Sequence, residues 1–171
     1  MNTLIKLIAS FNRRYCAVLK FLLTLVMGLM IIPVSVQILS RYLDFLPRYI
    51  WTEEAARFFF VWMIMIGSII AVREGAHFDV DLFPNVKSVR IESFLRIIVH
   101  VLMLLLALVF IRFGYDFART GYVQSSEMIG INMLSLYIAF PMAGFSWFML
   151  LLEKLIEDFI VLKTGKPSKL T

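Results

Sequence analysis

The chain has 171 residues, 61% of them hydrophobic, with a formal net charge of +5 and a mean hydropathy of +0.86. That composition excludes an ordinary soluble domain and places the chain among membrane proteins. The basic residues are scattered over the ends of apolar segments and form no continuous patch, which argues against nucleic acid as a partner. The single Cys16 forms no internal disulfide.

Four charge-free stretches, Phe21 to Ser40, Phe58 to Val72, Ile97 to Ile111 and Met128 to Leu152, hold 20, 15, 15 and 25 residues. A hydrocarbon core of ~30 Å needs about 20 helical residues, so the first and fourth span unaided while the others fall roughly 8 Å short. Arg57 and Arg73 flank the second stretch, and Arg96 and Arg112 the third. Their side chains can snorkel to both surfaces and bring these helices to spanning length. The expected fold is an all-α membrane protein with four transmembrane helices in one domain, 1–171, spanning roughly 15–40, 53–74, 92–116 and 130–155. Twelve Lys and Arg residues fall on the side of the termini and four on the other, with Arg57 at the second span's edge, so the positive-inside bias predicts cytoplasmic N- and C-termini.

Met1 to Arg14 mixes apolar residues with Lys6, Arg13 and Arg14, a pattern that suits a short amphipathic N-terminal helix on the membrane surface. A basic start before an apolar run also resembles a secretion signal, but no small-x-small cleavage site follows, so the segment is read as a permanent anchor. Span one carries Pro33, which favours a bend, and Gln37, which serves either a substrate or, more simply, a neighbouring helix. The outer loop from Arg41 to Ile50 is rich in aromatic residues that belong at a headgroup boundary.

Wound as a helix, Trp51 to Gly75 places Glu53, Arg57, Phe60, Ile64, Gly67, Ala71 and Gly75 along one face. Glu53 or Glu54 can neutralise Arg57 at spacings of four and three. Gly67, Ala71 and Gly75 repeat the small-xxx-small spacing that admits another helix. The face is either a docking surface for a partner or a packing surface for another helix of the same chain, with the charges marking where the membrane ends. His77, Asp79 and Asp81 alternate, as a metal site on extended backbone would, but hydrogen bonds that fix a loop explain them as well. His100, one turn inside span three, suits a bond to a neighbouring helix better than a proton relay or a haem ligand.

Further on, Arg112, Asp116 and Arg119 can pair along a helix, and Gly121 is expected to break it. Ser125, Ser126 and Glu127 make the next loop polar, Pro141 and Gly144 mark a second kink, and Glu153 to Lys163 is amphipathic and charged.

No Ser-His-Asp set, Cys-x-x-Cys, Walker loop or His-Glu-x-x-His motif occurs, so the residues support no enzyme class, cofactor or metal. The middles of all four spans also lack ionisable groups, which a self-sufficient ion-coupled carrier places near the midplane. The chain is therefore expected to be unable to transport alone.

Trp51-Thr-Glu-Glu-Ala-Ala-Arg-Phe58, Gly67 with Ala71, and His77-Phe-Asp-Val-Asp81 closely resemble the signature of the small membrane subunit of tripartite ATP-independent periplasmic (TRAP) transporters. Gly130-Ile-Asn-Met and Ala139-Phe-Pro-Met-Ala-Gly144 are similar to that family's weaker fourth-helix pattern. The resemblance implies a multi-pass protein of the bacterial inner membrane. It implies as partners a large multi-span membrane subunit, which carries substrate and sodium sites, and a soluble periplasmic substrate-binding protein. It further implies import of an organic acid, of the dicarboxylate or sialic acid class, with this subunit as a static scaffold among membrane lipids. Joined to the residue reading, this makes the face from Glu53 to Gly75 the expected large-subunit interface. Trp51, Glu54, His77, Asp79 and Asp81 then hold the loop motif, and Arg48, Tyr49 and Glu127 meet the binding protein. The competing classes are a self-contained small homo-oligomeric transporter or channel, and a membrane-bound redox or lipid enzyme.

Overall fold

The computed structural model describes residues 2–43, 47, 49–75 and 89–164. Arg48, His77, Asp79 and Asp81 lie outside the described residues, so the loop-motif and metal readings that rest on them do as well. Five helices follow in order: α1 (Asn2–Tyr42), α2 (Trp51–Glu74), α3 (Val89–Tyr122), the short α4 (Leu134–Tyr137) and α5 (Ala139–Thr164). Among the described residues, four candidate spans are long and apolar enough to cross a bilayer: Ser10–Tyr42, Trp51–Glu74, Phe94–Tyr122 and Leu134–Leu162.

The start and end of α2 are set by local chemistry. The Thr52 hydroxyl donates to the Tyr49 carbonyl at 2.6 Å. Glu53 and Glu54 oppose the positive end of the helix, and Arg73 lies in its last turn. Gly75 then closes the helix at φ 73°, a left-handed position that disfavours a side chain.

The helices form a layer rather than a closed bundle. α1 packs on α2, α2 on α5 and α5 on α3, whereas α3 touches neither α1 nor α2 among the described residues. The tightest seam lies between α3 and α5, where Ala107 and Ala118 of α3 and Ala139 and Ala143 of α5 are all buried. Backbones approach closely there: a Cβ on Gly114 would lie 2.9 Å from the Pro141 nitrogen, and one on Gly144 would lie 2.8 Å from the Phe110 Cβ. This is small-residue packing of the kind that holds helices together in lipid. At the end of the layer that carries both termini, Cys16 and Leu19 of α1, Ile66, Ile69 and Ile70 of α2, and Leu150 and Leu151 of α5 form the core.

Several local expectations change. The N-terminal amphipathic segment is not a separate surface helix, because α1 continues from it through Pro33 without a break. Gly121 does not end α3, which reaches Tyr122. Instead Gly121 is the point where α3 meets the start of the fourth span, since a Cβ there would lie 2.5 Å from the Tyr137 ring. The kink assigned to Pro141 appears as the break between α4 and α5 at Ile138. Proline supplies no N–H for the Tyr137 carbonyl four residues earlier, and regular pairing resumes when Met142 donates to the Ile138 carbonyl at 3.2 Å.

Candidate docking surface and polar clasp

On α2, Glu53, Arg57, Phe60 and Ile64 are exposed, and Gly67 and Ala71 are half-buried along the same stripe. A Cβ on Gly67 would meet nothing within 4 Å, so at this point the stripe is not filled by another described helix of the chain. Gly75 stands apart, because its position is explained by closing the helix and its Cβ would lie 3.5 Å from the Lys154 Nζ. Arg57 donates to Glu53 at 3.4 Å, a long, exposed pair that contributes little to stability.

Glu54 has a different partner from the one its spacing suggests. Its Oε2 accepts the Ile129 backbone N–H at 3.0 Å, tying the start of α2 to the loop after α3. That loop is well braced. Ser126 N–H donates to the Ile131 carbonyl at 2.8 Å, and Met133 N–H donates to the Gln124 carbonyl at 2.9 Å. The Asn132 amide donates to the Tyr122 carbonyl at 2.9 Å while its Oδ1 accepts the Leu134 N–H at 2.8 Å. Gly130 turns the chain at φ 71°. The Gly130-Ile-Asn-Met stretch therefore has a local job, holding the end of α3 against the start of the fourth span. The Trp62 indole adds a bond to the Ser135 carbonyl at 3.1 Å. Tyr49 and Trp51 are exposed with rings 6.4 Å apart, and Glu127 is exposed in the braced loop.

The opposite end carries a buried polar clasp. Glu153 of α5 accepts from the Asn12 amide of α1 and from Arg73 of α2, the latter at 2.6 Å. His100 of α3 pairs with Asp158 of α5 at 2.7 Å, the neighbouring-helix bond expected for this histidine. Tyr15 and Ser146 share a hydrogen bond of 2.7 Å, and outside the buried part Lys20 pairs with Glu74, both about half exposed. Arg73 is thus turned toward a carboxylate inside the layer, where snorkelling to the surface was expected. Sequence reasoning missed Asn12, Glu153 and Asp158 as partners. The available signal was two carboxylates five apart in an amphipathic helix end, and nothing in the sequence identifies which of the other helices they meet.

A layer one helix thick, apolar through its middle and fastened by polar contacts at both ends, defines an integral membrane component whose polar groups join helices to one another. The family described as "Tripartite ATP-independent periplasmic transporters, DctQ component" matches residues 30–160, and the chain belongs to it. It is a multi-pass inner-membrane protein and a transporter component, not an enzyme.

Among curated relatives, the chain is 28% identical over 142 residues to a putative TRAP transporter small permease protein of Haemophilus influenzae (strain ATCC 51907 / DSM 11121 / KW20 / Rd), covering 82% of this chain and 85% of that one. It is 30% identical over 131 residues to the sialic acid TRAP transporter permease protein SiaT of Haemophilus influenzae (strain 86-028NP). That match covers 76% of this chain but spans only 20% of SiaT's length. It is 30% identical over 74 residues to the C4-dicarboxylate TRAP transporter small permease protein DctQ of Vibrio cholerae serotype O1, covering 43% of this chain and 32% of that one.

Proposed function

We propose that this chain is the scaffold subunit of a sodium-coupled TRAP transporter, supporting a large permease that moves an organic acid of the sialic acid or dicarboxylate class. The observation that carries the reading is the open α2 stripe on a layer with no ionisable side chain through its middle: the chain has a surface for a partner and no charged group at mid-depth to bind an ion or an anionic solute. The match to a fifth of SiaT supports the partner, since a chain of this kind occurs there within a much longer permease. The names of the relatives, which include sialic acid, C4-dicarboxylate and isethionate transporters, support an anionic organic acid as the cargo.

In this reading the stripe of Arg57, Phe60, Ile64, Gly67 and Ala71 packs on the large permease. The termini face the cytoplasm, and the loops that carry Arg48, Tyr49 and Glu127 receive the periplasmic binding protein. Replacing Gly67 and Ala71 by leucine tests the docking face. Gly67→Leu alone should leave the isolated chain's thermal stability unchanged, because a Cβ at Gly67 enters open space, while co-purification with the large permease falls for it and further for the double variant. An unchanged yield of the complex removes this face from the account. Uptake by the assembled transporter should require an inward sodium gradient, and uptake unaffected by replacing sodium with potassium removes the coupling. Organic acid flux through vesicles that hold this chain alone would overturn the scaffold role.

A further inference from the structure

An open groove of about 290 Å³ lies between α3 and the start of the fourth span, lined by Val109, Phe110, Phe113, Gly114, Phe117 and Phe140. Its walls are braced by aromatic contacts. Phe117 stacks on Tyr137 with ring centres 3.9 Å apart and meets Phe140 edge-on at 5.5 Å, while Phe110 leans on Trp147 at 4.8 Å. Val109 and Phe113 are exposed on the outer surface of the layer, so the groove opens toward whatever surrounds the helix in the membrane.

Val109, Phe113, Asp116 and Thr120 follow one another at spacings of four, three and four, a single stripe along α3. The apolar wall therefore runs directly into Asp116, whose carboxylate is paired with the Arg112 guanidinium. Both side chains of this pair are more than half exposed. Arg112 is the first charge after the charge-free Ile97 to Ile111, and the exposed Tyr115 and Tyr122 mark the same region as a headgroup boundary. The groove thus lies where acyl chains begin, with the Arg112–Asp116 pair at its mouth and the exposed Arg119 three residues beyond Asp116 on α3.

We propose that the groove and the Arg112–Asp116 pair form a binding site for one zwitterionic phospholipid with a primary-amine headgroup. An acyl segment lies against Phe113 and Phe117, the phosphate meets Arg112, and the ammonium donates to Asp116. The charge pattern decides between occupants. An apolar side chain from a partner subunit would fill the hollow but leave both charges as they are, whereas an amine phospholipid engages both. A quaternary ammonium headgroup has no N–H to give the carboxylate, so the site should prefer an amine to a choline. The proposal needs only that the chain spans a bilayer, and it stands or falls apart from the scaffold reading.

The test uses the full chain reconstituted with equal amounts of phosphatidylethanolamine, phosphatidylcholine and phosphatidylglycerol, re-extracted into mild detergent and examined by native mass spectrometry. One retained phospholipid is expected, with ethanolamine favoured over choline by about tenfold, the factor set by one hydrogen bond to a charged group. Val109→Trp, at an exposed site, should fill the groove and abolish retention while circular dichroism stays unchanged. Asp116→Asn should keep the lipid but lose most of the headgroup preference. Equal retention by wild type and Val109→Trp overturns the proposal, as does a retained headgroup mixture equal to the bulk. Release of the lipid on assembly with the large permease would also overturn it, because the groove would then belong to the protein partner.

Discussion

Removing the Glu153 carboxylate by Glu153→Ala should loosen α1 from the layer. The Glu153 side chain is 5% exposed and Arg73 25%, so this ion pair is largely withdrawn from solvent. Breaking such a pair from one side costs about 3–5 kcal/mol, because the remaining charge is left uncompensated. The lower end applies here, since Arg73 keeps a route toward the membrane surface. Asn12 adds to the loss. It is 1% exposed and its Oδ1 already lacks a partner among the described residues, so without Glu153 its amide is stranded, at about 1–3 kcal/mol. A total near 4 kcal/mol corresponds to a fall in Tm of about 8–16 °C for a chain of this size.

The protein carries its own probe for this experiment. Cys16, its only cysteine, is 6% exposed and sits one helical turn from Asn12 on α1, so a maleimide fluorophore should label it only when α1 separates. Faster labelling and a lower labelling midpoint are expected for Glu153→Ala. The double variant Arg73→Met with Glu153→Ala should be no more than about 1 kcal/mol worse than Glu153→Ala alone, since removing both charges leaves none to strand. Strictly additive losses, or wild-type labelling in Glu153→Ala, would refute the clasp as the fastening of α1.

Three further outcomes follow from contacts elsewhere. Glu54→Ala should loosen the loop after α3, raising the hydrogen-exchange rate of the Ile129 amide by up to about fivefold for a bond worth about 1 kcal/mol, since the longer bond to the Ser126 hydroxyl at 3.3 Å remains; an unchanged rate removes that tie. Gly121→Val should cost about 1–3 kcal/mol through overpacking against Tyr137 and the Leu134 backbone, read as a lower Tm, whereas a neutral result contradicts the close approach. His100→Leu should cost about 1–3 kcal/mol by leaving the buried Asp158 unpaired, while Asp158→Asn, which keeps a hydrogen-bonding partner, should cost less; the reverse order of Tm values would count against their bond.

The four spans were legible because a bilayer imposes length and apolarity on each helix separately, and both quantities are local. Arg73 marked the end of α2 to within one residue while Arg57 fell six residues inside its start, and the small-residue stripe of that helix could be laid out by counting. Pairing between helices was not legible. Glu54 looks like a partner for Arg57 at a spacing of three, yet it reaches Ile129, which follows it by seventy-five positions. Gly121 reads as punctuation until Tyr137 is brought beside it. In the same way, Ala107, Gly114 and Gly121 recur every seven residues on α3 and build the closest seam, but they stand among leucines and phenylalanines that hide the repeat.

The placement of polar contacts carries the last step of the argument. In lipid, apolar faces gain nothing by meeting one another, so a layer without an enclosed interior must be fixed by close backbone contact and by hydrogen bonds. This chain has the first along α3 and α5 and the second at both ends and between: Glu54 at one end, Glu153 and Asp158 at the other, and Trp62 from the middle of α2 to the Ser135 carbonyl. Fastened so, the helices have little freedom to slide, while their outward surfaces stay apolar and open. Cross-linked contacts combined with an unfilled face are what the proposed scaffold role requires, whereas a carrier with its own alternating site would need helices free to move past one another.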